Sequence, residues 1–269
     1  MRLACCLSAR RIAAMVLRHL YILRGSWPRV LEMAYWPTVN MVVWGLTSQF
    51  FSHHSDWVAQ ATGVLIGAVI LWDVMFRGNL GVSLSFLEEM WSRNLGHLAV
   101  SPLRPQELVA AMLTMSLIRT VLGVLPAALL AIPMYHYSLF SLGLPLLAFW
   151  VNLMITGWAI GLGVSALVLR FGLGAESLAW VLVFAIAPLA GIYYPITVLP
   201  GWLQPLAWAL PPAYVFEGMR SVMFGQGFRA DLLLQAGLLN AVYLALTMAI
   251  FLRTWHVARQ RGLLLSIGE

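Results

Sequence analysis

The chain has 269 residues, 61% of them hydrophobic and only 10% charged, with a mean hydropathy of +0.86 and a formal net charge of +6. A water-soluble domain carries about 25% charged residues, so this composition excludes a soluble globular protein and requires a membrane as solvent. All 16 basic residues are arginine; without a lysine the chain cannot form a G-x-x-x-x-G-K-[ST] phosphate loop, and any ATP hydrolysis that drives it must be carried by another polypeptide.

The sequence predicts one all-α integral membrane domain over residues 1–269. It divides into an amphipathic segment at 1–31, a six-span bundle at 33–252 and a tail at 253–269. The first 30 residues carry Arg2, Arg10, Arg11, Arg18, Arg24 and Arg29, which interrupt the apolar run of a secretory leader. Cys5 and Cys6 are adjacent and suggest no disulfide framework. Ile12, Met15, Val16, Leu20 and Leu23 recur at helical spacing, with Arg11 and Arg18 on another face. That pattern fits a helix lying in the membrane interface against lipid, or an ordinary solvated N-terminal helix.

A spanning helix needs about 20 mostly apolar residues. Six stretches qualify: 33–52, 58–80, 107–132, 141–169, 177–198 and 232–252. Thirteen arginines fall in the N-terminal segment, alternate connections and the tail, whereas the other side holds only Arg220 and Arg229. This alternation supports an even number of spans and places both termini in the cytoplasm. It also explains the positive charge by topology, so no nucleic-acid partner is implied.

Two connections stand out. Residues 84–106 contain Glu88, Glu89, Arg93, His97 and Arg104, with Ser101-Pro102 and Pro105 stopping and restarting helices; a short polar helix here suits docking to a cytoplasmic partner. Residues 199–231 are external by this topology yet rich in Leu, Trp and Pro. They read as a re-entrant or interfacial helical pair, with irregular backbone shielded by protein.

Charges inside spans mark functional sites unless they merely neutralise one another. Asp73, Arg77 and Arg119 are such charges. Asp73 can pair with Arg119 across two spans, or with Arg77 one turn along its own helix; the result is either a structural pair or a substrate contact. Glu217 and Arg220, three apart, are either a local helix pair or part of an outer gate. His53, His54 and Asp56 are too few for a zinc site, and no metal or cofactor is expected. Gly163-Val164-Ser165-Ala166 lacks the second glycine of a nucleophile elbow, so the spans offer no enzyme chemistry. Gly63-x-x-x-Gly67 and Gly157-x-x-x-Gly161 permit close helix approach.

One combination of motifs resembles a known family. Gly191-Ile192-Tyr193-Tyr194-Pro195, Leu199-Pro200, Pro211-Pro212 and Glu217-Gly218-Met219-Arg220 are similar to the signature of permeases of the type 2 family of ATP-binding-cassette exporters. Glu88-Glu89 through Ser101-Pro102-Leu103 and Glu107 resemble that family's coupling-helix region. The resemblance implies a homodimer, or a heterodimer with a similar permease, bound to separate ATPase subunits. It implies ATPase coupling through Glu88, Glu89, Arg93, Arg104 and Glu176, and an outer gate at Tyr193, Tyr194, Pro195, Glu217 and Arg220. The compact branch of drug and nodulation-signal exporters is the most similar, which implies an amphiphilic substrate and a bacterial inner membrane. The competing expectation is an ion-coupled secondary transporter that relays charge through Asp73 and Arg119.

Overall fold

The computed structural model describes residues 7–52 and 56–262, and the side chains of all of these except 51, 52 and 56–62. Cys5, Cys6, His53 and His54 lie outside the described residues. Ten α-helices and no strand are found among the described residues: α1 (Ala9–Arg24), α2 (Trp27–Ser52), α3 (Asp56–Trp91), α4 (Leu95–Val100), α5 (Pro105–Tyr135), α6 (Leu144–Phe171), α7 (Leu178–Ile186), α8 (Gln204–Trp208), α9 (Pro211–Met223) and α10 (Ala230–Gln260). The protein is therefore all-α, with backbone hydrogen bonds satisfied inside each helix, as hydrocarbon demands.

Four helices are long and apolar enough to cross a membrane: Gly63–Trp91, Pro105–Tyr135, Leu144–Phe171 and Ala230–Gln260. They correspond to the second, third, fourth and sixth predicted spans. The first predicted span lies in α2, whose 26 residues extend about 39 Å but include Arg29, Glu32, Pro37 and Asn40. The fifth differs from expectation. A continuous helix over 177–198 does not form; α7 has nine residues, about 14 Å, too short to cross alone. Pro188 supplies no N–H, and from Ala187, itself still in right-handed helical backbone, the chain continues as turns to Ala190. The chain then turns through Gly191 at φ +64° and Pro195.

A second difference lies in α3. Hydropathy ends this span near residue 80, but the helix continues to Trp91. Glu88 and Glu89 therefore stand on the last turn of a long helix and not in a loop. Arg93, at φ +52°, breaks the direction, and the Asn94 backbone N–H closes the end on the Glu89 carbonyl at 2.9 Å.

The core has two levels around α3, which packs against α2, α5 and α6. At the arginine-rich end, Met15, Phe86, Met90, Leu95, Val168 and Trp255 cluster. Toward the other end, Met41, Ile70, Ala127, Phe149, Phe216 and Met219 cluster. Ile196, Ala207 and Ala213 form a small cap with α8 and α9 at the end away from α1, where the sequence predicts a helical pair.

Polar side chains tie the helices where no water competes. Ser116 Oγ donates to the Gly78 carbonyl at 2.8 Å, and Trp158 Nε1 donates to Ser116 Oγ at 3.2 Å. Thr156 Oγ1 donates to Asn240 Oδ1 at 2.7 Å, and Asn240 Nδ2 donates to the Asn152 carbonyl at 3.0 Å. Asn79 Nδ2 donates to the Ala179 carbonyl at 2.7 Å and so anchors the short α7. The two glycine pairs have separate uses. Gly157 and Gly161 bring α6 against the backbone of α3, whereas Gly63 and Gly67 leave room for the Tyr137 ring.

Candidate functional site

Charged groups occupy three levels of the bundle. At the arginine-rich end, α1 does not merely rest on the surface. It buries Met15, His19 and Leu23 and is held by carboxylates from α3 and α5. Glu107, on the first turn of α5, accepts from Arg11 Nε at 2.8 Å and Nη2 at 2.6 Å, from the Ser8 backbone N–H at 2.9 Å and from the Arg104 backbone N–H at 2.9 Å. The hydrogen-bonded carboxylate holds the Arg11 guanidinium above its ordinary pKa. Arg18 Nη1 pairs with Glu89 Oε2 at 3.0 Å, and Asn94 Nδ2 donates to that same oxygen at 2.6 Å.

His19, fully buried, lies between the two glutamates: Nδ1 is 3.3 Å from Glu88 Oε2, and Nε2 is 3.5 Å from Glu89 Oε1. Arg119 reaches the same cluster from α5, with Nη2 donating to Glu88 at 2.9 and 3.1 Å. Arg29 adds a longer contact to Glu88 at 3.4 Å. The expected Asp73–Arg119 pair is thereby corrected: the partner of Arg119 is Glu88. The inward direction of Glu88 and Glu89 also means that they meet α1 and α5, not a solvent-facing partner. Their neighbours Trp91, His97 and Val100 are exposed. Of the other residues implied in coupling, Arg93 is exposed, Arg104 precedes α5, and Glu176 is half-buried after the 170–175 turn.

The middle level contains Asp73 and Arg77 on α3. Asp73 is 3% exposed and its Oδ2 has no hydrogen-bond partner. Asn40 on α2 is within hydrogen-bonding reach of the carboxyl, and Arg77 acts on it electrostatically. Arg77 in turn lies over Gly123 of α5 beside the Met33 carbonyl and is drawn also to Glu32.

At the opposite end, Glu217 and Arg220 stand on one face of α9. Arg220 Nη2 is 3.0 Å from Glu217 Oε1. Both also grip the irregular segment after α7: Arg220 Nη1 donates to the Gly191 carbonyl at 2.6 Å, and Glu217 Oε1 accepts from the Ile196 backbone N–H at 2.8 Å. The pair thus joins the 187–199 turn to α9. Tyr194 donates to the Pro188 carbonyl at 2.7 Å, Tyr193 stacks on Trp44 of α2 at 4.5 Å, and Pro195 starts the short turn that carries Ile196. Arg220→Ala is expected to release this segment. Hydrogen exchange at Ile196 should rise by about tenfold or more, and chymotrypsin should cut after Tyr193. Unchanged protection would show that Glu217 alone holds the turn.

Sequence reasoning did not find His19 or the tie from Arg11 to Glu107. The signal for the second was present: Glu107 lies three residues after Arg104 in a capping arrangement, facing an arginine-rich amphipathic helix that needs acidic partners.

No curated protein matches the chain. The family model for the membrane domain of the ABC-2 type transporter matches residues 21–224, a stretch that begins within α1 and runs through α9. Domains of this kind are the membrane component of the transporter and work with a separate ATP-binding subunit. An all-α, multi-pass bundle with a basic end, a short helix after its first long apolar helix and a bent segment before α9 belongs, by that match, to the ABC-2 type transporter family as its permease component.

Proposed function

We propose that this chain is the permease half of an ATP-driven exporter that moves an amphiphilic substrate outward from the cytoplasm or inner leaflet. The substrate classes in view are a drug, a lipid-linked glycan and a lipo-oligosaccharide, as in the compact branch of drug and nodulation-signal exporters. The protein acts in a bacterial inner membrane with both termini in the cytoplasm, as a dimer with itself or with a similar permease. The 187–199 turn completes the fifth of six crossings together with α7, and the Arg220–Glu217 cap serves as the outer gate. The exposed Leu17 and Tyr21 of α1 face lipid headgroups.

The observation that carries this reading is a platform at one end of the bundle. Helix α4 and the turn at 173–175 share a single apolar cluster with the ends of α3, α5, α6 and α10, and this is the end that holds the arginines of α1. Leu95 and Leu98 root α4 in that cluster, while Val100, His97 and Phe171 remain exposed. An ATPase that pulls on α4 would move α3 directly, and α1 through Glu88 and Glu89. The relay reading loses its basis, because Arg119 serves Glu88 and not Asp73.

The test is a pull-down of the tagged chain from native membranes in mild detergent, with ATPase activity measured on the eluate. A P-loop ATPase is expected to co-purify. Val100→Asp should remove it by about tenfold or more while leaving the permease monodisperse, since a charge at the centre of a contact is strongly disfavoured. A stable chain with no associated ATPase under any mild condition would overturn the reading.

A further inference from the structure

Among the described residues, the buried acids Glu89 and Glu107 have arginine partners within ion-pair distance, and Asp73 has none. Its Oδ2 is buried without a hydrogen-bond partner. An ionisable group at this depth usually pairs or serves a function. Beside Asn40 and Arg77, which act on it directly, the neighbouring elements contribute aromatic rings. Trp44 lies one turn from Asn40 on α2, and its ring stacks on Tyr193 at 4.5 Å and 20°. The Tyr193 hydroxyl is within electrostatic reach of Asp73. Phe76, three residues along α3 from Asp73, meets Trp180 and Phe184 of α7 at 5.7 Å each. Trp180, Phe184 and Tyr193 are exposed. Helices α2, α3 and α7 and the turn after α7 therefore bring aromatic rings to the level of one buried carboxyl that has no arginine within ion-pair distance.

We infer that Asp73, Asn40, Trp44 and Tyr193 form a binding site for a lipophilic organic cation. This rests on the permease reading and names the substrate class that reading leaves open. Aromatic faces attract cations through their quadrupole, most strongly where water is excluded, and a carboxylate in the same setting supplies the counter-charge. Arg77, the nearest cation, is shared between the two acids Asp73 and Glu32. A flat apolar cation satisfies both features at once. The site also connects to the outer cap, because Tyr193 belongs to the turn that Arg220 holds at Gly191. Movement of that turn takes Tyr193 off Trp44 and changes the cation's surroundings.

The experiment uses the full chain in nanodiscs, purified with its associated ATPase, and equilibrium dialysis with tetraphenylphosphonium. Tetraphenylborate, of the same shape and opposite charge, is measured in a separate dialysis, since the two ions precipitate one another. Saturable binding of the cation is expected. Asp73→Asn should weaken it by about tenfold or more, and Trp44→Ala or Tyr193→Ala by about three- to tenfold, while tetraphenylborate shows no saturable binding. Equal binding by a monodisperse Asp73→Asn protein, equal saturable binding of the borate, or only non-saturable uptake by the wild type would each overturn the site. If Asp73→Asn does not fold, the two aromatic variants decide in the same way. The two readings separate in one preparation. Co-purifying ATPase with Asp73-independent binding removes the site and keeps the permease; Asp73-dependent binding without an ATPase does the reverse.

Discussion

Arg119→Ala is expected to be among the most damaging single substitutions in the bundle. It leaves Glu88, at 12% side-chain exposure, with only His19 and a long contact to Arg29. Removing one partner of a buried ion pair costs about 3 kcal/mol or more, because the remaining charge stays desolvated. The loss should appear as a lower melting temperature in detergent and as faster hydrogen exchange across α1, whose His19 depends on the same carboxylate. A double-mutant cycle identifies the partner. Arg119→Ala with Glu88→Gln should cost about 1–2 kcal/mol less than the two changes summed, since the second removes the stranded charge. Arg119→Ala with Asp73→Asn should be additive. Coupling to Asp73 in place of Glu88 would show that the pairing seen here is wrong.

The same residues show what the sequence made legible. Hydropathy located the four long apolar helices, and the spacing of Met15 and Leu23 located the buried side of α1. Proline and glycine placed α8 and α9. The arginine pairing was missed for one physical reason. The apolar score drops near residue 80, which places Glu88 in a connection, yet residues 81–91 contain no proline to stop a helix. The helix simply continues. Asp73 and Glu88 are then fifteen residues apart on α3, about 22 Å along its axis, and one arginine cannot serve both. The opposite error occurred at α7, where a high apolar score hid Pro188, Gly191 and Pro195. Hydropathy measures compatibility with lipid, whereas helix ends are set by backbone chemistry, and the functional candidates lie where those two signals diverge. Asp73 itself was legible as an intramembrane charge, but its aromatic surroundings come from α2, α3 and the segment after α7, and no spacing along the chain reports that convergence.

Gly157→Ala is expected to be comparably harmful, for a reason that involves no charge. Helices in lipid gain little from the hydrophobic effect and depend on close packing. A Cβ at residue 157 would lie 2.5 Å from the Met75 carbonyl oxygen and 2.9 Å from the Asn79 backbone nitrogen. At Gly161 the corresponding distances are 2.7 Å to Val82 Cβ and 2.8 Å to the Asn79 carbonyl oxygen. These are mostly backbone atoms of α3, so no side-chain rotation relieves the overlap and the helices must separate. Such overpacking costs about 1–3 kcal/mol. Gly163→Ala is the control: its nearest neighbour, Thr247 Cγ2, would be 3.6 Å away. Alanine there should be neutral, or stabilising by up to about 1 kcal/mol through helix propensity. Melting temperatures of the three variants in one detergent test the argument. Equal stability of Gly157→Ala and Gly163→Ala would mean that α3 and α6 do not approach this closely. A selective loss at 157 and 161 would make the α3–α6 contact the rigid seam of the protomer, so that transport motions must be taken up by helices packed on either side of it.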